Sequence, residues 1–158
     1  MLVFFSRVSR KAVFEEVNNG LFTTDKSNAF FLGMAIVAPG SVKPALKIRA
    51  SVYILTKEEG GTGKPLKHMG QNMVFARTFD CMASTNYLNP DDRIMPGENG
   101  EMNLIFRVPM VIEKSDRFTI RCGSTTIGTG VVTDIIDDVT EKQVEEWFTM
   151  KAHLKTAI

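Results

Sequence analysis

Strict two-residue alternation over three stretches of the chain constrains its fold more than any other feature. In "KIRASVYIL", Ile48, Ala50, Val52 and Ile54 take one side of an extended chain, and Lys47, Arg49, Ser51 and Tyr53 take the other. In "EMNLIFRV", Met102, Leu104, Phe106 and Val108 oppose Asn103, Ile105 and Arg107. "RFTIRC" sets Phe118 and Ile120 against Arg117, Thr119 and Arg121. "TTIGTGVVTDII" is rich in Thr and Val, and its two glycines mark a bend or a close backbone approach. Turn signals fall between these runs at Pro39-Gly40, Gly60-Gly61, Asn89-Pro90, Pro96-Gly97 and Gly123-Ser124. Short alternating strands at this spacing predict an all-β fold, a small antiparallel barrel or sandwich.

Composition narrows the partners. The 158 residues suffice for one good-sized domain or one domain with appendages, and a hydrophobic fraction of 44% is ordinary for a chain that buries a core. Nineteen Lys and Arg stand against 18 Asp and Glu, so affinity for nucleic acid has to come from a local patch and not from bulk charge. Cys81 and Cys122 make no disulfide framework and point to a reducing compartment. No apolar run approaches the length of a membrane-spanning helix, and no membrane partner is expected.

The stretch "EEGGTGKPLKH", residues 58–68, resembles a phosphate-binding loop, which needs Gly-x-x-x-x-Gly-Lys-Ser/Thr. Gly63-Lys64 is in place, but Glu58 holds the slot of the first glycine and Pro65 the slot of the magnesium-binding hydroxyl. Pro65 also removes a backbone donor and disfavours helical geometry before it, where such a loop must open a helix. A Gly-rich connection between two strands is the expected structure.

Other candidate chemistry is thin. His68 and His153 are far apart, with no Cys or carboxylate at ligand spacing, and read as surface residues. Ser124-Thr125-Thr126 has no base beside it, and Asp91-Asp92 and Asp137-Asp138 read as turn and cap residues. No catalytic residue and no metal site is expected.

Four longer stretches carry a family resemblance: "MAIVAPGSVKP", "VYILTKEEGG", "IMPGENGEMNLIFRVPM" and "EKSDRFTIRCGSTTIGTGVV", in order and at matching intervals. Together they resemble the C-terminal β-barrel, the third domain, of elongation factor Tu. The wording is closest to the bacterial and mitochondrial branch and nearer its mitochondrial side, and the likeness runs from about Gly33 to Ile135. "RKAVFEEVNNG", residues 10–20, resembles a stretch late in the second domain of that family, with residues 21–37 as a shortened version of that barrel's last strands. The implied organisation is a segment over residues 1–39 holding a remnant of the second barrel, a C-terminal-type barrel over 40–137, and a helical extension over 138–158.

The resemblance implies function by position. The intact factor is a GTPase that delivers aminoacyl-tRNA to the ribosome, using GTP and magnesium. Neither its phosphate loop, nor Asp-x-x-Gly, nor Asn-Lys-x-Asp occurs in this sequence, so no cofactor and no enzymatic activity are expected of the chain. The family loop that meets the T-stem of tRNA usually reads Gly-Gly-Arg-His-x-Pro; here Gly60, Gly61 and Pro65 are kept, and Thr62 and Gly63 replace Arg and His. Thr cannot make the charge-assisted phosphate bonds of Arg, so tRNA binding is expected to be weak, with Lys64 and Lys67 as partial substitutes. Gly123, preceded by Cys122, matches another T-stem position. Arg77, Thr78 and Asp80 match a family strand carrying further tRNA-side positions, while Arg117 and Thr119 match the seam with the GTPase domain. Elongation factor Ts or a GTPase domain is the implied protein partner, and the mitochondrial matrix the implied location.

Both ends depart from the family core. "MLVFFSRVSRK" is basic and lacks acids, and reads either as a mitochondrial presequence or as sequence at a truncated start. Near the other end Thr140 and Gln143 form a capping box, and Val144, Trp147, Phe148 and Leu154 fall on one helical stripe. So short a helix is marginal alone and is expected to dock on the barrel through Trp147 and Phe148. Two classes of function follow: an elongation-factor component on the tRNA or exchange-factor side, or a non-catalytic interaction module or fragment of a duplicated gene.

Overall fold

The computed structural model describes residues 41–87, 89, 91–146 and 148, together with the backbone of three strands nearer the N-terminus. Those strands, β1 (Leu2–Phe5), β2 (Lys11–Phe14) and β3 (Ala35–Val37), form an antiparallel sheet in the order β2-β1-β3. The first of them lies within the basic stretch at the start of the sequence.

Six further strands close into a barrel: β4 (Ala45–Ile54), β5 (Gly70–Ala76), β6 (Phe79–Asn86), β7 (Asn99–Met110), β8 (Arg117–Cys122) and β9 (Thr125–Ile136). Around the barrel the order is β4-β7-β6-β5-β8-β9, and β9 pairs back onto β4, every pair antiparallel. Closure leaves these strands no open edge. Register shifts between Ala45 and Lys47, Arg49 and Ala50, and Ile120 and Arg121 supply the local bends that a tightly curved sheet needs.

The alternation in the sequence is realised as an inside and an outside. Ile48, Ala50, Val52, Met102, Leu104, Phe106, Phe118 and Ile120 are buried in the interior, where Phe79 meets Phe106 edge to face at 6.1 Å. The two glycines of β9 mark close approaches: a Cβ on Gly128 would sit 2.9 Å from the Tyr53 carbonyl oxygen, and one on Gly130 would sit 2.4 Å from the Phe118 ring.

Ile105 faces outward and is nevertheless buried. A short helix, α1, over residues 141–146 and 148, packs Val144 and Phe148 against Ile105, with Leu46, Met82 and Val139 at the margin. The expected capping box forms: the Thr140 amide donates to Gln143 Oε1 at 2.9 Å, and the Gln143 amide to Thr140 Oγ1 at 3.4 Å. Docking through Phe148 is as expected; Trp147 and Leu154 lie outside the described residues.

Candidate functional site

The barrel has two ends, and the strand registers sort the candidate residues between them. Tyr53 pairs with Asn99 and Thr129, and Ile54 with Gly128. The end of β4 therefore stands beside the start of β7 and the β8–β9 turn, with the start of β5 at the same end. The loop carrying Gly60, Gly61, Thr62, Gly63, Lys64 and Lys67, the β6–β7 connection and Gly123 accordingly share one end. Arg77 sits in the β5–β6 turn at the other, beside the first residues of β8.

At the first end the glycine-rich loop is a sequence of tight turns leading into β5, with no helix. Gly60 and Gly63 have φ of 86° and 65°, in the left-handed region that glycine enters freely. The Gly61 amide donates to the Thr56 carbonyl at 2.8 Å, and a Cβ on Gly61 would lie 2.4 Å from the Leu55 carbonyl oxygen. Glu59 organises the start of the loop: its carboxylate accepts the Thr56 amide at 2.8 Å and the Tyr53 hydroxyl at 3.0 and 2.9 Å. The Thr56 amide first and the Tyr53 hydroxyl second hold the Glu59 carboxyl below the usual carboxylate range. Tyr53 is pushed up in turn, chiefly by donating to Glu59. Lys57, Lys64 and Lys67 are exposed, as are Thr62, Glu58 and Glu59, so the backbone-defined loop carries three cations beside two carboxylates. His68 departs from the surface role expected of it. It is half-buried, stacked on Tyr87 at 6.2 Å, and its Nδ1 accepts the Tyr87 amide.

The outer wall of the barrel carries an open groove of about 770 Å³ running over β4, β9, β8 and β5. Register places Tyr53, Thr129, Thr119 and Phe75 side by side across those four strands. Arg117 and Val131 form the adjacent row, both exposed. The guanidinium of Arg121 lies over the Phe75 ring, 5.4 Å from its centroid. The structure thus unites Arg117 and Thr119 in one groove, and Arg77, Thr78 and Asp80 line its far end.

Arg77 and Thr78 are a correction to the sequence reading, which put them on a strand. They form the turn between β5 and β6, because Arg77 takes a φ of 48° and the chain reverses there. Nor does Arg77 stand free for phosphate. Its guanidinium meets Glu113 at 2.5 Å and Asp116 at 2.7 Å, and those carboxylates, Glu113 first, raise its already high pKa. Gly123 sits in the β8–β9 turn at φ 59° with open space around it.

Tyr53, Phe75 and Thr129 escaped notice as site residues on sequence alone. The available signal was Tyr53 alone, an aromatic side chain at an outward position of the alternating β4, where solvent-facing residues are usually polar.

The family model for the elongation factor Tu C-terminal domain matches residues 41–136. The chain belongs to that family. The matched range takes in all six strands of the elongation factor Tu-type barrel and stops just short of α1, so the docked helix adds to the family unit. Within that unit the loop and Gly123 occupy one end, and Arg117 and Thr119 the wall.

Proposed function

We propose that this elongation factor Tu-type barrel is a non-enzymatic binding module of protein synthesis. The loop over 56–67 holds aminoacyl-tRNA weakly, and the groove around Arg117 and Thr119 seats a protein partner, a GTPase domain or elongation factor Ts. The observation that carries this reading is the co-location, on a barrel of the family, of a turn-locked Gly60–Gly61 loop and three exposed lysines. Backbone-fixed loops with lysine points suit phosphate, and phosphate contacts set register and affinity without reading bases. Thr62 and Gly63 offer no cation, which accounts for weakness. The missing guanine and phosphate motifs support a chain that works without GTP or magnesium, and the wording of the matched stretches supports the mitochondrial matrix.

The ion pairs of Arg77 favour a second reading, a protein-interaction module with no tRNA role, since they withdraw one expected phosphate contact. Retention on immobilised aminoacyl-tRNA at low salt separates the two. On the tRNA reading, Lys64→Ala with Lys67→Ala abolishes retention; unchanged retention contradicts it.

A further inference from the structure

We propose that Tyr53 couples the groove to the glycine-rich loop, so that a ligand seated in the groove alters the loop and the loop alters the groove. Tyr53 belongs to both: it lines the groove beside Thr129, with Thr119 one strand further across, and its hydroxyl bonds the carboxylate of Glu59, next to Gly60. The base of the residue is fixed, because β9 packs against its backbone at Gly128, where even a Cβ would meet the Tyr53 carbonyl at 2.9 Å. The hydroxyl is the part with a choice of partner.

Glu59 in turn holds the loop shut. It accepts the Thr56 amide, its own amide donates to Thr56 Oγ1 at 3.3 Å, and the Thr56 carbonyl accepts the Gly61 amide. Every link from Tyr53 to Gly61 is a direct hydrogen bond or a single residue. A groove occupant that offers the Tyr53 hydroxyl a competing acceptor takes it from Glu59, and the carboxylate then keeps only its contacts to Thr56. Coupling between two sites is reciprocal, so loop contacts that engage Glu59 loosen Tyr53 in the groove by the same factor. The two states are a latched loop, with Tyr53 on Glu59, and a released one.

The consequence for tRNA and a protein partner rests on the function proposed above; the latch is measured without either ligand, so the two fail separately. The experiment is nitrogen-15 NMR on the full chain with Glu59→Gln, Tyr53→Phe and the double variant. Glu59→Gln, a change in the loop, is expected to shift the amide resonances of Thr119 and Thr129 in the groove. Those shifts are expected to vanish in the Tyr53→Phe background. Amide exchange at Thr56 and Gly61 is expected to rise roughly two- to tenfold in either single variant and no further in the double, the range a single hydrogen bond supports. Groove shifts that persist unchanged in the Tyr53→Phe background, or loop exchange indifferent to Tyr53→Phe, overturn the proposal.

Discussion

Arg77, in a turn at a φ of 48°, reaches across to Asp116 in the β7–β8 connection, with its Nε 2.7 Å from that carboxylate. Asp116 also accepts the Glu113 amide at 2.8 Å, so it both closes its own turn and anchors the neighbouring one. The pair is partly exposed, and solvent screening limits each ion pair to about 0.5–1 kcal/mol. Asp116→Ala is therefore expected to lower the thermal midpoint more than Glu113→Ala, since it also removes the carboxylate that accepts the Glu113 amide. Equal losses in a thermal melt would show that the turn does not depend on that acceptor.

The α1 contact predicts a larger effect. Phe148 is 7% exposed and Val144 2% exposed, against Ile105 on β7. Phe148→Ala is expected to destabilise the chain by roughly 2–4 kcal/mol, near the lower part of the range for buried aromatics because the site is peripheral. Deleting residues 140–158 is expected to uncover Ile105, Leu46 and Met82 and to increase binding of a hydrophobic dye. Unchanged melting in both variants contradicts a docked helix.

Acid should release the loop before the barrel. The Glu59 carboxyl titrates below its ordinary value when folded, so its contribution is present above that ordinary value and is lost as pH falls through the depressed one. Tyr53 titrates above its ordinary value, so its contribution persists below the ordinary phenol range and is lost as pH rises through the raised one. The Thr56 and Gly61 amide signals are expected to move toward released positions at both extremes. Glu59→Gln is expected to remove the acid transition. An acid transition that survives that substitution assigns it to another carboxylate.

Two glycines separate strain from collision. Gly123→Ala meets open space and pays only for its positive φ, about 1 kcal/mol. Gly130→Ala puts a methyl group 2.4 Å from the Phe118 ring and 2.9 Å from the Ser51 carbonyl oxygen, and is expected to cost more. Chemical denaturation of the two variants gives the order directly.

The strands that alternate cleanly were legible because one face is apolar and the other polar, as in β4 and β8. β5 and β6 were not singled out, and packing explains it. β6 buries Ser84 and Thr85 in succession, and most of the first half of β5 is only half-buried, so neither shows a clean period of two. Ile105 was legible as outward but not as buried, because its cover comes from a helix more than thirty residues further along the chain. The glycine-rich loop was placed correctly between strands by Pro65. The groove was only half legible. Arg117 and Thr119 came from the family resemblance, while Tyr53 and Phe75 depend on lateral register that no single stretch encodes. That Arg77 is neutralised by Glu113 and Asp116 depends on contacts 36 and 39 residues away in sequence.

The most direct test of the account is the salt dependence of aminoacyl-tRNA binding by the full chain and by its Thr62→Arg variant. Gly63 is better left alone, since its φ of 65° strains any side chain placed there. The wild-type chain is expected to bind weakly, with affinity falling as salt rises by about one logarithmic unit per logarithmic unit for each phosphate contact. Thr62→Arg is expected to tighten binding roughly fivefold to thirtyfold at low salt and to steepen that slope by about one. No binding at low salt by either protein, or identical affinity and slope for both, would contradict the assignment of this loop to tRNA.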